Sequence, residues 1–246
     1  MSELRIALVA EGPTDYEIIQ AALKAIFPHP FVLVQIQPEA TEPLLGAGWG
    51  GVLKWCHAAS QRHRGVLEVD PTLVGFDLLI IHLDVDVAGE HYAHLGAALD
   101  AMVTQRQWGS LPCAQPCPPI ADTVTRLAAV VVSWLGEATP GERTVFCLPA
   151  QASGTWLATA VLAPANPLLA GGECDAAVEA GLERLPLNQR IKKTQRTYRL
   201  FAPQLTAHWE SVKQACTQAQ QFEQRVVAAT TGLTTGDATR TDGDQR

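Results

Sequence analysis

The chain has 246 residues, 47% of them hydrophobic and 17% charged. That composition excludes a disordered or collagen-like chain, and the length suffices for a full core without disulfide or metal staples. No uncharged apolar run approaches about 18 residues, so no membrane span is expected. The start, MSELRIALVAEGPTD, lacks the pattern of a secretory leader, and the chain reads as cytoplasmic. The formal net charge is −7, which disfavours a uniform nucleic-acid surface. The charge is uneven, however. Arg184, Arg190, Lys192, Lys193, Arg196 and Arg199 fall in one stretch without an acid, leaving 12 bases against 25 acids elsewhere. Of six cysteines, only Cys113 and Cys117 are close together, in CAQPC. No CxxC pair occurs, so the sequence reads as reduced thiols packed as small apolar groups, not as a zinc site.

In chain order, Leu4 to Ala10 reads as a buried parallel strand. A helix follows, with Thr14 and Glu17 as a capping box and Pro28 and Pro30 as its stop. Phe31 to Ile36 is a second strand, residues 37–49 a Pro/Gly-rich loop, and Gly51 to Arg62 a short helix. Phe76 to Leu83 is the strongest strand signal and runs into Asp84-Val85-Asp86. The spacing then predicts helices over His91–Gln105 and Ala121–Gly136, a strand over Arg143–Leu148, and helices over Thr155–Leu162 and Asp175–Leu185. A basic helix near Gln189–Phe201 is expected to stop at Pro203, before a long helix over Thr206–Ala229. Alternating strands and helices predict an α/β fold with a mainly parallel sheet. The α/β domain occupies residues 1–150, a helical C-terminal region 151–229, and a disordered tail 230–246.

Parallel strands deliver their C-terminal ends to one edge, where ligands bind. Glu11 directly follows the first strand, and Asp84 and Asp86 close the third. Period-two alternation would turn both aspartates to one face. Three converging carboxylates repel unless a cation joins them, and an oxygen-rich open site suits Mg²⁺ or Mn²⁺. Such a metal can hold a phosphoryl oxygen and activate water. His82 shares that face by alternation. It reads first as a buried ring hydrogen-bonded to backbone, with a ligand role as the alternative. Asp15 fits either a favourable acid in the first helical turn or a residue near the metal. Gly12 permits close backbone approach to a phosphate, although a Gly-Pro turn needs no ligand. Lys192, Arg196 and Arg199, at i, i+4 and i+7, would form one helical face suited to phosphate-backbone contacts; a solvated face is the plainer reading.

VAEGPTD resembles the glutamate motif of the Toprim (topoisomerase–primase) fold, and HLDVDVAG resembles its DxD motif. More narrowly, the chain is similar to the bacterial Toprim-like proteins grouped as domain of unknown function 4276. Cys147–Val161, Ile191–Tyr198 and the closing helix with Cys216 and Phe222 extend the resemblance over residues 4–229. The resemblance implies a Rossmann-like Toprim sheet and Mg²⁺-dependent (or Mn²⁺-dependent) phosphodiester chemistry on DNA or RNA. It also implies an ATPase partner in a phage-defence or mobile-element system. By it, Glu11 is the general acid/base and a metal residue, Asp84 and Asp86 are metal ligands, and Lys193 approaches the metal-bound phosphate. Lys192, Arg196 and Arg199 then grip the nucleic-acid backbone. One position departs from the pattern: the family's Glu in S-E-A-W falls on Gly154 of Ser153-Gly154-Thr155-Trp156. That departure favours an alternative reading, a catalytically impaired or partner-activated subunit bound to an ATPase. A small-molecule phosphotransferase is a third reading, and no GxxxxGK[ST] loop supports it.

Overall fold

The computed structural model describes residues 3–39 and 45–231; part of the expected 37–49 loop and all but the first two residues of the expected tail lie outside them. Four parallel strands form the main sheet: β1 (Leu4–Val9), β2 (Phe31–Gln37), β4 (Leu78–His82) and β6 (Thr144–Cys147). Their order is β2-β1-β4-β6, with Ile6 opposite Leu33 on one side and Leu78 on the other. The two-residue strands β3 (Gly65–Val66) and β5 (Ala138–Thr139) pair apart from it; both are too short to have left a periodic signal in the sequence.

The strand alternation divides the core in two. Ile6, Leu8, Leu78, Ile80, Val145 and Cys147 face one layer. That layer contains α1 (Pro13–Ile26), α5 (Gly154–Val161), α6 (Val178–Leu182), α7 (Gln195–Ala207), α8 (Trp209–Ala215) and α9 (Thr217–Thr231). Ala7, Val9, Leu79 and Ile81 face the other, built on α2 (Gly48–Arg62) and α4 (Ala121–Leu135). The C-terminal helices therefore share their core with the sheet. Their Trp156, Trp209 and Phe222 pack ring against ring within it. Fully burying side chains of this kind contributes about 1.5–3 kcal/mol each.

From β1 the chain steps outward to β2 over one face. It then returns to β4 and β6 over the opposite face. The reversal lies between β1 and β4, the switch point at which a doubly wound sheet opens a crevice.

Several expected elements differ. The first helix starts at Pro13 with Gly12 as N-cap, so Thr14 and Glu17 form no capping box. Asp15 instead accepts the Gly12 N–H at 2.8 Å. Glu17 is buried against α7. The expected helix over 91–105 divides into a 3₁₀ turn (Tyr92–Leu95) and α3 (Ala97–Arg106), because Gly96 adopts φ +99°. The basic helix begins only at Gln195, where Thr194 accepts the Thr197 N–H, and it runs through Pro203. Burial of Tyr198 and Leu205 on the same element overrides the proline's local preference. The last long helix breaks at Cys216, which is extended (φ −124°, ψ 104°). Cys117 and Cys174 form a disulfide, contrary to the expectation of reduced thiols throughout; Cys56, Cys113, Cys147 and Cys216 are free. No described helix is long and apolar enough to cross a membrane.

Candidate metal centre

Glu11 and Asp84 leave the C-terminal ends of the adjacent strands β1 and β4. The backbone N–H of Asp84 donates to Glu11 Oε1 at 2.8 Å, so the turn after β4 fixes the glutamate. Asp84 Oδ1 in turn accepts the Ser153 N–H at 2.8 Å. The Ser153 hydroxyl donates to Asp15 Oδ1 at 2.7 Å, while Oδ2 of Asp15 takes the Gly12 N–H. Three chain segments, at residues 11–15, 84 and 153, are thereby tied into one polar cluster at the switch point. These bonds use Oε1 of Glu11 and Oδ1 of Asp84, and the second oxygen of each carboxylate remains for a ligand.

His82, the last residue of β4, is fully buried beneath the acids. Its Nε2 lies 3.2 Å from Asp84 Oδ1, an ion-pair distance without hydrogen-bond alignment, and neither ring nitrogen has a hydrogen-bond partner. The backbone-bonded histidine considered from the sequence is thus not what the structure shows. Burial disfavours the charged ring, but Asp15, Asp84 and Glu11 prevail and raise its pKa to about 9. Burial pushes the Glu11 carboxyl well up, and the charges of Asp84 and Asp15 add to this against the pull of His82. Asp15 is likewise raised by burial, with His82 opposing.

Glu11, His82 and Asp84 offer ligand atoms within 4.8 Å of one another, the one such trio among the described residues. Asp86 stands outside it. The strand stops at His82, and Asp84 opens a 3₁₀ turn (Val85–Gly89), so strand alternation no longer applies beyond that point. Asp84 turns inward at 5% exposure, whereas Asp86 is exposed and gives its N–H to Gln151 O at 3.0 Å. Crowding by the surrounding protein pushes the Asp86 carboxyl up to about 7, with Asp84 and Glu179 adding to it and Lys193 opposing. The donor set fits a divalent cation that displaces the protons these groups hold in its absence: carboxylate oxygens of Glu11 and Asp84 at the switch point, and the buried His82 ring once neutral. A nitrogen among the donors suits Mn²⁺ better than Mg²⁺.

The basic residues are dispersed. Lys192 lies before α7 and not on it, so the expected i, i+4, i+7 face does not form. Arg199 donates through Nε and Nη2 to Oε1 of the buried Glu17 at 3.0 and 2.8 Å, which commits it to the α1–α7 contact. Lys193 Nζ reaches Glu179 at 2.5 Å. Lys192 and Arg196 are exposed. Sequence reasoning missed Glu179, whose carboxylate occupies the space beside Gly154, and it gave Ser153 no positioning role. Glu179 belongs to no motif, and Ser153 is only the first residue of the S-E-A-W-like stretch; the contacts of both follow from helix packing. No protein-family model, no curated protein and no solved structure matches the chain.

Proposed function

We propose that this chain is a divalent-cation-dependent phosphodiesterase acting on DNA or RNA. The observation that carries the reading is the Glu11–His82–Asp84 trio at the crevice between β1 and β4. Glu11, Asp84 and His82 would hold the cation, which when bound supplies Lewis-acid polarisation of a phosphoryl oxygen and a more acidic water. Ser153 and Asp15 hold Asp84 and the start of α1 in place. By the Toprim resemblance Glu11 would also be the general acid/base. Lys193 presents a positive charge beside the acids. This agrees with the resemblance to the Toprim-like proteins, with His82 in the place the sequence reading gave to Asp86.

A second reading is favoured by the engagement of Arg199 with Glu17 and of Lys193 with Glu179. With two of its expected grips occupied internally, the chain would act as a subunit whose ATPase partner supplies the nucleic-acid contacts. Mn²⁺ and Mg²⁺ titration of the purified chain, followed by cleavage assays on DNA and RNA with and without that partner, separates the two. The first reading expects metal binding that Asp84→Asn weakens, together with cleavage that Asp84→Asn and Glu11→Gln abolish. Metal binding and cleavage unchanged in Asp84→Asn would refute it.

A further inference from the structure

Gly154 opens α5 directly after Ser153. A Cβ built there would lie 2.5 Å from Cγ and 2.7 Å from Cδ of Glu179, closer than non-bonded carbons approach. The space is therefore already filled by a carboxylate from α6. Its Oε1 accepts the Tyr198 hydroxyl at 2.9 Å, and its Oε2 takes the Lys193 ammonium at 2.5 Å. The backbone N–H of Lys193 is held separately by Glu183 Oε1 at 2.7 Å. The Glu179 side chain is 13% exposed and that of Lys193 45%. The ammonium also feels Asp84 and Asp15, and Asp86 feels both Lys193 and Glu179.

We propose that Glu179 is a positioning residue of the carboxylate site, holding the Lys193 ammonium on the α6 side so that the free oxygens of Glu11 and Asp84 stay open to a cation. This rests on the cation reading of the site. An ammonium near several carboxylates settles on the one that is best placed and least solvated. Tyr198 orients Glu179 through one oxygen and leaves the other for the lysine. Without the charge on Glu179, the remaining attractions on Lys193 come from Asp84, Asp15 and Asp86, at or beside the site, where it would compete with a dication for the same negative charge. A side chain at position 154 would displace Glu179 from this place. The carboxylate beside the start of α5 comes from α6, and it acts on the site through the lysine.

Mn²⁺ affinity of the full chain, measured by titration calorimetry without nucleic acid, tests this. Glu179→Gln keeps the shape and the acceptor for Tyr198 and removes the charge, so a merely structural role would leave Mn²⁺ binding unchanged. The expected result is a loss of about tenfold, the effect of one like charge moved beside the dication, with recovery to within about threefold of wild type in Glu179→Gln/Lys193→Gln. Unchanged affinity in Glu179→Gln, or a double variant as weak as the single one, would overturn the proposal. The contact is tested without metal by melting: Gly154→Ala should lower Tm, and Glu179→Ala added to it should restore part of the loss, whereas additive losses would count against the contact. A wild-type chain that binds Mn²⁺ but cleaves no nucleic acid refutes the phosphodiesterase reading alone; one that binds no Mn²⁺ overturns both.

Discussion

Replacing Ser153 with Ala removes one oxygen from the middle of the polar cluster. Ser153 is fully buried, and its hydroxyl does not cap α5, so loss of a helix cap does not confound the result. Its backbone N–H still donates to Asp84, and the hydroxyl's bond to the buried Asp15 at 2.7 Å is what disappears. Hydrogen bonds to charged groups contribute about 1.5–3 kcal/mol, and a buried acceptor left short of a donor bears the full loss. Taking about 2 kcal/mol, and about 2–4 °C per kcal/mol for a chain of this size, the variant should melt about 4–8 °C below wild type. Thermal and urea unfolding of the single variants and of Ser153→Ala/Asp15→Asn close a double-mutant cycle. A coupling above about 1 kcal/mol is expected for partners in direct contact. A Tm unchanged in Ser153→Ala, with no coupling to Asp15, would show that this bond does not organise the site.

Asp70 provides a pH test remote from the site. Burial raises its carboxyl, but the Thr72 N–H, the Thr72 hydroxyl and Arg62 outweigh that and hold it below the ordinary value. A depressed carboxyl contributes stability above its unfolded pKa of about 3.9 and loses it as the pH falls through the folded value. Asp70→Asn should therefore be less stable at pH 7 and show a flatter acid limb below about pH 4 in urea midpoints; parallel curves would contradict this. Alkylation of the denatured, unreduced chain should label four cysteines and spare Cys117 and Cys174, and six labels would deny the disulfide. Nucleic-acid binding should weaken with salt through Lys192 and Arg196, whose joint change to Ala should flatten the salt slope by up to about 2 units, with a shared slope as the contrary result. Arg199→Ala should instead lower Tm by stranding the buried Glu17 and leave the salt slope unchanged; a lost slope unit with an unchanged Tm would reverse that assignment.

The sheet was legible because its strands are short apolar runs, two of which, β1 and β4, lead into acids. Leu4–Val9 and Leu78–His82 lie within the runs that periodicity marks, and their adjacency brings Glu11 to Asp84. Reading stopped one residue too late at β4. An apolar Leu83 extends the run, yet the chain has already turned, and the error moved Asp86 onto a face that it does not share. The basic segment misled for a related reason. Charge spacing shows what a helix would align but not where the helix starts, and the start was set by Thr194 and by Ile191, buried in the core. Partners from distant elements, such as Glu17 for Arg199 and Glu179 for Lys193, carry no local signal at separations of 182 and 14 residues.

Crowding of acids distinguishes the switch point from the rest of the interior. Elsewhere among the described residues, three buried or nearly buried acids sit against a base, Glu17 against Arg199, Asp70 against Arg62 and Glu179 against Lys193, while Glu68 and Glu173 stand singly with neutral donors and one enclosed oxygen each. At the ends of β1 and β4, Glu11, Asp15 and Asp84 share one imidazole, and the nearest lysine is held by Glu179. Backbone and hydroxyl donors from Gly12, Asp84 and Ser153 orient these acids but bring no positive charge. Uncompensated buried carboxylates cost several kcal/mol each, and apolar residues would pack the same space more stably. A packing role therefore does not account for the arrangement. A divalent cation on the free oxygens of Glu11 and Asp84 would supply the missing charge where the fold leaves it open to a ligand.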